Sequence, residues 1–193
     1  MRTALASVAV LLTAGLGSFA AAQDAPPARA AFAAKITSVR ARLGAVPDSQ
    51  NLKQACEGSL SAANRAADEE GYLVALAAIR RCLPYVAALE VLAKHKDAIG
   101  TDLDAFRRVW EDAGTDLKAR RAALGDDPGA QRPLAVRAMI ESDLATFDTY
   151  YTSARLYGEN TTVESGLLYL GFPYGVVDFA SFAAALPIAA PAP

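Results

Sequence analysis

The sequence is poor in the residues on which most enzyme sites depend, with one histidine, two cysteines and one tryptophan. A Ser-His-Asp or Cys-His site needs a histidine as its base, and common zinc sites need several His or Cys ligands. The Glu-x-x-His pairs of di-iron bundles and the Cys-x-x-Cys-His haem motif are absent. We therefore expect no metal and no cofactor, and we assign His95 to the carbonyl groups at the end of its helix.

Three further features that the sequence lacks limit which folds and which partners are expected. No segment alternates apolar and polar residues with a period of two, so strands are not expected and a phosphate loop after a strand is excluded. The net charge is −2 and basic residues do not accumulate, which argues against nucleic acid as a partner. Beyond the first 22 residues, no stretch reaches 18 apolar residues without a charge, so no transmembrane segment is expected.

The N-terminal residues have the pattern of a secretory signal peptide. Arg2 supplies a positive charge, an apolar run covers Ala4–Leu16, and small residues follow at Ala20–Ala22. This order is typical of a leader that is cleaved on export. We predict a signal peptide over residues 1–22, cleavage before Gln23, and a soluble protein of 171 residues in a periplasmic or secreted location.

The remaining chain is predicted to form one domain. A flexible spacer is expected at residues 23–28, where Pro26-Pro27 disfavour regular structure. A single helical domain then covers residues 29–186, a length sufficient to bury its own core. The Ala/Pro-rich residues 187–193 are expected to be a disordered tail. The composition is typical of a bacterial protein.

Apolar residues recur at the spacing of amphipathic helices along most of the chain. The pattern predicts helices over 28–43, 49–67, 72–99, 101–124, 133–157, 162–170 and 176–186. We expect Thr101 to cap the fourth helix, Pro84 to kink or break the third, Gly158 to end the fifth, and residues 171–175 to separate the last two. The fold class is all-α, a helical bundle of about five to seven helices built from antiparallel hairpins.

The two cysteines are predicted to form a disulfide. Cys56 and Cys82 lie at equal distances in sequence from Glu69, in the middle of a polar turn. Two antiparallel helices joined at that turn would bring the two side chains together at the same height. A redox-active pair would more often have the Cys-x-x-Cys spacing, which is absent. The bridge is therefore expected to be structural.

The C-terminal part of the chain contains the candidate binding residues. After Ala138 the only basic residue is Arg155, against six acidic residues, and nine of the 15 aromatic residues lie there. Tyrosine offers an apolar ring with a polar tip, as contact surfaces often do. The predicted binding residues are Tyr150, Tyr157, Tyr169, Tyr174 and Glu159. The alternative is that the acidic residues form a solvated helix face and the aromatic residues belong to the core.

Three functions remain open on the sequence alone. The leading interpretation is a non-catalytic accessory protein that binds a protein partner. The second is a small-molecule binding protein with an aromatic pocket between the C-terminal helices. The third is a carboxylate-dependent hydrolase, because glycosidases need only two carboxyl groups. Its candidate pairs are Glu141 with Asp148, and Glu159 with Glu164.

Overall fold

The computed structural model describes residues 27–49 and 51–188, and within these ranges it contains six helices and no strand. The helices are α1 (Pro27–Ala45), α2 (Leu52–Asp68), α3 (Tyr72–Ile99), α4 (Leu103–Ala123), α5 (Leu134–Asn160) and α6 (Val163–Ala185). The predicted all-α bundle is therefore confirmed. The predicted signal peptide and its cleavage site lie outside the described residues, as does most of the predicted spacer.

The hairpin of α2 and α3 contains the predicted cysteine pair. The Cα atoms of Cys56 and Cys82 are 4.5 Å apart, and both side chains are fully buried between the two helices. This is a separation that a disulfide bridges. The turn between the helices places Glu70 in the left-handed region, at a φ of 59°. The prediction of a hairpin joined by a disulfide is confirmed.

Residues 163–185 form one helix, so the prediction of a break at residues 171–175 was wrong. Gly171 and Gly175 do not form a turn but pack against the backbone of α3. A Cβ atom on Gly171 would lie 2.2 Å from the Cα of Ala88, and one on Gly175 would lie 2.4 Å from the Cα of Pro84. Burial against α3 outweighs the low helix propensity of these residues.

Two other residues expected to interrupt helices lie inside them. Pro84 lies within α3, which is assigned as one helix from Tyr72 to Ile99, so the prediction of a break is wrong. Gly158 lies inside α5 and does not end it. A Cβ atom there would lie 2.2 Å from the ring of Phe106, so the glycine makes room for that buried ring. In both cases a residue that disfavours a helix serves packing between helices.

The ends of the helices also differ slightly from the predictions. Asp102, not Thr101, caps α4, and its Oδ1 accepts from the backbone N–H groups of Asp104 and Ala105 at 2.9 and 3.0 Å.

Pro27 and Ala28, placed in the predicted spacer, belong to the first turn of α1. At the other end, Ile188 lies in the predicted tail but packs against the core. Residues 189–193 lie outside the described part of the chain.

The α6 helix lies at the centre of the bundle and packs against α3, α4 and α5. Both α3 and α6 are long and apolar enough to span a membrane, although 56% and 61% of their apolar windows are buried inside the bundle. Membrane spans and buried core helices share this length and composition. The absence of a transmembrane segment therefore stays a prediction.

The α3 and α6 helices run antiparallel. Lys96 at the end of α3 pairs with Glu164 at the start of α6 at 3.0 Å, and Gly175 lies further back along α3 beside Pro84. A short turn at Gly100, where φ is 56°, leads from α3 into α4. The α4 helix packs on α6 and α5 and makes few close contacts with α3. A cleft is thereby left between α3 and α4, with α6 as its floor.

Candidate functional site

The cleft has a volume of about 640 Å³ and an apolar floor. The floor and lower walls consist of small and aliphatic side chains, chiefly Val91 of α3, Val109 and Ala113 of α4, and Leu170 and Val177 of α6. These residues recur at three- and four-residue spacings on their helices, so each helix turns one face towards the cleft. The sequence thus builds a concave apolar surface from three helix faces.

A network of ion pairs borders this surface where α1, α3 and α6 meet. Arg42 donates from Nε and Nη2 to the two carboxylate oxygens of Glu90, each at 2.7 Å, and from Nη1 to Asp178 at 2.6 Å. Lys35 also pairs with Asp178. The two-pronged contact fixes the guanidinium and the Glu90 carboxylate in one plane. The network therefore holds its charged groups in fixed positions before any ligand arrives.

These contacts shift the pKa values of the network. The hydrogen bond to Glu90 contributes most to raising the pKa of Arg42, against the opposing effect of burial. Burial alone would raise the pKa of Asp178, but Lys35 and Arg42 together lower it below its usual value. Asp178 is therefore a carboxylate at neutral pH, and its charge is balanced by its two partners.

A second group of polar side chains lies on the α4 side of the cleft. Arg120 donates from Nε to Asp116 at 2.9 Å, and its guanidinium lies 5.3 Å from the centre of the Tyr174 ring. Burial, together with the charge of Asp116, raises the pKa of Tyr174 to about 12. The Tyr174 hydroxyl therefore keeps its proton at neutral pH.

Lys94 and His95 line the cleft near the end of α3. Among the described residues, Lys94 has no ion-pair partner within 4.0 Å, whereas the other charged groups in the cleft lining all have one. Burial, and then the neighbouring Lys94, lower the pKa of His95, so the imidazole is neutral at pH 7. The predicted contact of His95 with the helix-end carbonyls is not among the hydrogen bonds of the described residues.

The structure does not bring the five predicted binding residues together. Tyr174 alone lines the cleft. Tyr157 and Tyr169 stack with their ring centres 3.9 Å apart, and Phe172 lies 5.2 Å from Tyr169 and 5.5 Å from Tyr150. We call Tyr150, Tyr157, Tyr169 and Phe172 the aromatic patch.

Glu159 lies apart from the cleft and is held by two arginines. Arg107 donates to it at 2.9 Å and Arg155 at 3.2 Å. These hydrogen bonds, that of Arg107 first, lower the pKa of Glu159. A general acid needs a raised pKa instead. The direction of this shift disfavours a role for Glu159 as a general acid.

The other carboxylates of the hydrolase hypothesis are also ion-paired. Glu141 contacts Arg137 at 2.7 Å, Asp148 contacts Arg121 at 3.3 Å, and Glu164 contacts Lys96. All of these pairs are on exposed surfaces where water screens the charges. None of them borders the apolar cleft.

Sequence reasoning missed most of the cleft residues, although a signal for some of them was present. Glu90 is a half-buried charged residue in a helix whose inward positions are mostly apolar, and such a residue needs a partner. Lys94 is exposed at the rim of the cleft, and Asp116 pairs with Arg120 within α4, so neither position stands out in the sequence. The sequence around Arg42 gave no indication of its role, because its partners lie on α3 and α6.

Metal-ligating side chains do not gather in residues 27–49 and 51–188, where no group of three or more His, Cys, Asp or Glu side chains is placed to hold an ion. The cleft and the aromatic patch are therefore the two surfaces from which a function can be argued. Comparisons with protein-family models, with curated proteins and with solved structures gave no match to this chain.

Proposed function

We propose that this protein is an exported, non-catalytic binding protein that holds a small organic ligand in the cleft between α3 and α4. The observation that carries the proposal is the cleft itself, about 640 Å³ in volume, with an apolar floor and walls that carry charged and polar side chains. Small-molecule sites have this size and combine an apolar surface with polar groups that fix the orientation of the ligand. This proposal shares small-molecule binding with the second of the three interpretations from sequence, but its cleft lies between α3 and α4 instead of between the C-terminal helices, and Tyr174 is the one aromatic residue in its lining.

The rigidity of the cleft supports this function. Its floor is fixed because Gly171 and Gly175 bring α6 against the backbone of α3. Its polar groups are fixed because Arg42 holds Glu90 and Asp178 in one network. A site that is already ordered costs less free energy to organise when a ligand binds.

Export is the second part of the proposal. The leader pattern of residues 1–22 motivates it, and a buried cysteine pair at disulfide distance suits an oxidising compartment. N-terminal sequencing of the protein from the extracytoplasmic fraction is expected to begin at Gln23. An intact Met1 in that fraction would overturn this part of the proposal and leave ligand binding untouched.

Native mass spectrometry tests ligand binding in the cleft. Protein purified from its own compartment is expected to carry a small molecule that an Ala113→Phe variant loses, because the larger ring fills the cleft. Ala119→Phe is the matched control, since Ala119 is exposed on the same helix. Retention of the molecule by a folded Ala113→Phe variant would place the ligand elsewhere. A wild-type protein with no bound molecule, and no stabilisation by any compound in a thermal-shift screen, would contradict the function.

The aromatic patch favours a second candidate function, the binding of a protein partner. Tyr157 is 39% exposed and its neighbour Leu156 is 53% exposed, so an apolar side chain and a tyrosine face solvent together. Exposed rings of this kind are enriched at protein interfaces. A partner captured from the envelope fraction is expected to be lost with Tyr157→Ala and kept with Leu134→Ala, a change at another exposed apolar residue. Equal capture by both variants would exclude the patch.

A further inference from the structure

We propose that the ligand of the cleft is a small carboxylic acid with an apolar chain, whose carboxylate pairs with Lys94 and whose chain lies on the apolar floor. This inference rests on the proposed function and names the chemical class of the ligand. It follows from the balance of charge in the cleft and from the placement of Lys94 relative to the apolar residues.

The charges in the cleft select an anion. Both carboxylates of the network are already paired, since Arg42 contacts Glu90 and Asp178 and Lys35 also contacts Asp178. On the opposite wall, Asp116 is paired with its own neighbour on α4. A cationic ligand would have to share one of these carboxylates with the cation that is already bound to it. An anionic ligand finds Lys94, whose charge no described side chain neutralises.

The apolar floor selects a ligand with a hydrocarbon body. Ala87, Val91 and Lys94 follow one another on the cleft face of α3, and the helical rise places Lys94 about 10 Å from Ala87. Across the cleft, Leu170 of α6 and Ala113 of α4 continue the apolar surface. An extended chain of about eight carbons has a similar length. A linear acid would therefore place its head at Lys94 and its chain along the floor.

The neighbouring imidazole adds a hydrogen bond to the acid group. His95 is neutral at pH 7, because burial and Lys94 lower its pKa, and a neutral imidazole carries one N–H donor. A carboxylate has two oxygens and accepts from both an ammonium and an N–H group. In this arrangement the Lys94 ammonium pairs with the charge of the carboxylate, and the N–H group of His95 orients the carboxylate by a hydrogen bond.

Three probes with eight carbons each test the inference by isothermal titration calorimetry at pH 7. They are octanoate, octan-1-ol and octylammonium, whose head groups are negative, neutral and positive. Octanoate is expected to bind about tenfold or more tightly than octan-1-ol, because it gains one charged hydrogen bond. Octylammonium is expected to bind most weakly of the three. In a Lys94→Met variant the affinity for octanoate should fall to that for octan-1-ol.

Lys118→Met is the matched control for this experiment. It removes the same charge from an exposed position on α4 outside the cleft, so octanoate should bind it as it binds the wild type. Equal affinity of the three probes, or a preference for octylammonium, would overturn the carboxylic acid as the ligand. Failure of all three probes would also overturn it. The proposed function itself fails separately, if a folded Ala113→Phe variant keeps the native molecule.

Discussion

Replacing Gly171 by alanine tests the close packing of α3 against α6, on which the floor of the cleft depends. The added Cβ atom would lie 2.2 Å from the Cα of Ala88 and 2.4 Å from its nitrogen. Both neighbours are backbone atoms of a long helix, so they are unable to rotate aside as a side chain would. The two helices must therefore separate locally, and the variant is expected to be less stable than the wild type.

The size of the effect follows from two opposing contributions. Alanine in place of glycine inside a helix stabilises it by about 1 kcal/mol. Overpacking a well-packed interior by one methyl group costs about 1–3 kcal/mol, and contact with backbone favours the upper end. The net loss expected for Gly171→Ala is about 2 kcal/mol. For a domain of this size, each kcal/mol lowers the melting temperature by about 2–4 °C.

Gly58→Ala is the matched control for this prediction. Gly58 lies inside α2 and has no atom within 4 Å of a Cβ position, so its replacement is expected to stabilise the protein by about 0.5–1 kcal/mol. Urea denaturation followed by circular dichroism measures both variants, and their difference isolates the packing cost from helix propensity. Equal free energies of unfolding for the two variants would refute the close approach of α3 and α6.

Three further predictions concern the disulfide, a helix cap and an ion pair. Replacing Cys56 and Cys82 by alanine is expected to cost about 3 kcal/mol in the free energy of unfolding, and alkylation of the unreduced protein at both thiols would contradict the bridge. Asp102→Ala should cost about 1 kcal/mol by losing two backbone contacts, while Thr101→Ala costs almost nothing; the reverse order would restore Thr101 as the cap. Because the pKa of Asp178 is lowered, the stability from its ion pairs is present above the unfolded pKa, about 3.9, and is lost as the pH falls through the folded value. The stability difference between Asp178→Asn and the wild type should therefore shrink below about pH 4, and a constant difference in denaturation midpoint from pH 2 to 7 would refute this.

The helices that follow a local pattern could be predicted from the sequence, whereas those stabilised by packing could not. The hairpin of α2 and α3 was predicted because a polar turn and two cysteines mark it. The α6 helix was predicted as two pieces because Gly171, Pro173 and Gly175 disfavour a helix locally. The surface against which these residues pack comes from α3, about 85 residues earlier, and no local pattern records that contact.

The candidate site was harder to predict for the same physical reason. Tyr174 was selected because it lies in a segment rich in aromatic and acidic residues, and it does line the cleft. The tyrosines selected with it lie on another surface, because a shared segment does not imply a shared helix face. Arg42 and Asp178 are separated by 136 residues and meet only in the folded chain. A site assembled from α1, α3, α4 and α6 in this way has no compact signature in the sequence.

The position of α6 has a consequence for the order in which the chain can fold. A polypeptide leaves the ribosome or a translocation channel N-terminus first. The α1 helix therefore emerges long before α6, and Lys35 is separated from its partner Asp178 by 143 residues. Until α6 is made, α3 packs against α1 and α2 but has nothing to cover the face that carries Pro84 and Ala88, and contacts of such long sequence separation form slowly. A chain interrupted within α6 would leave the inner side of α3 uncovered and prone to self-association. The last of the described helices to be made thus completes the interior that it shares with α3, α4 and α5.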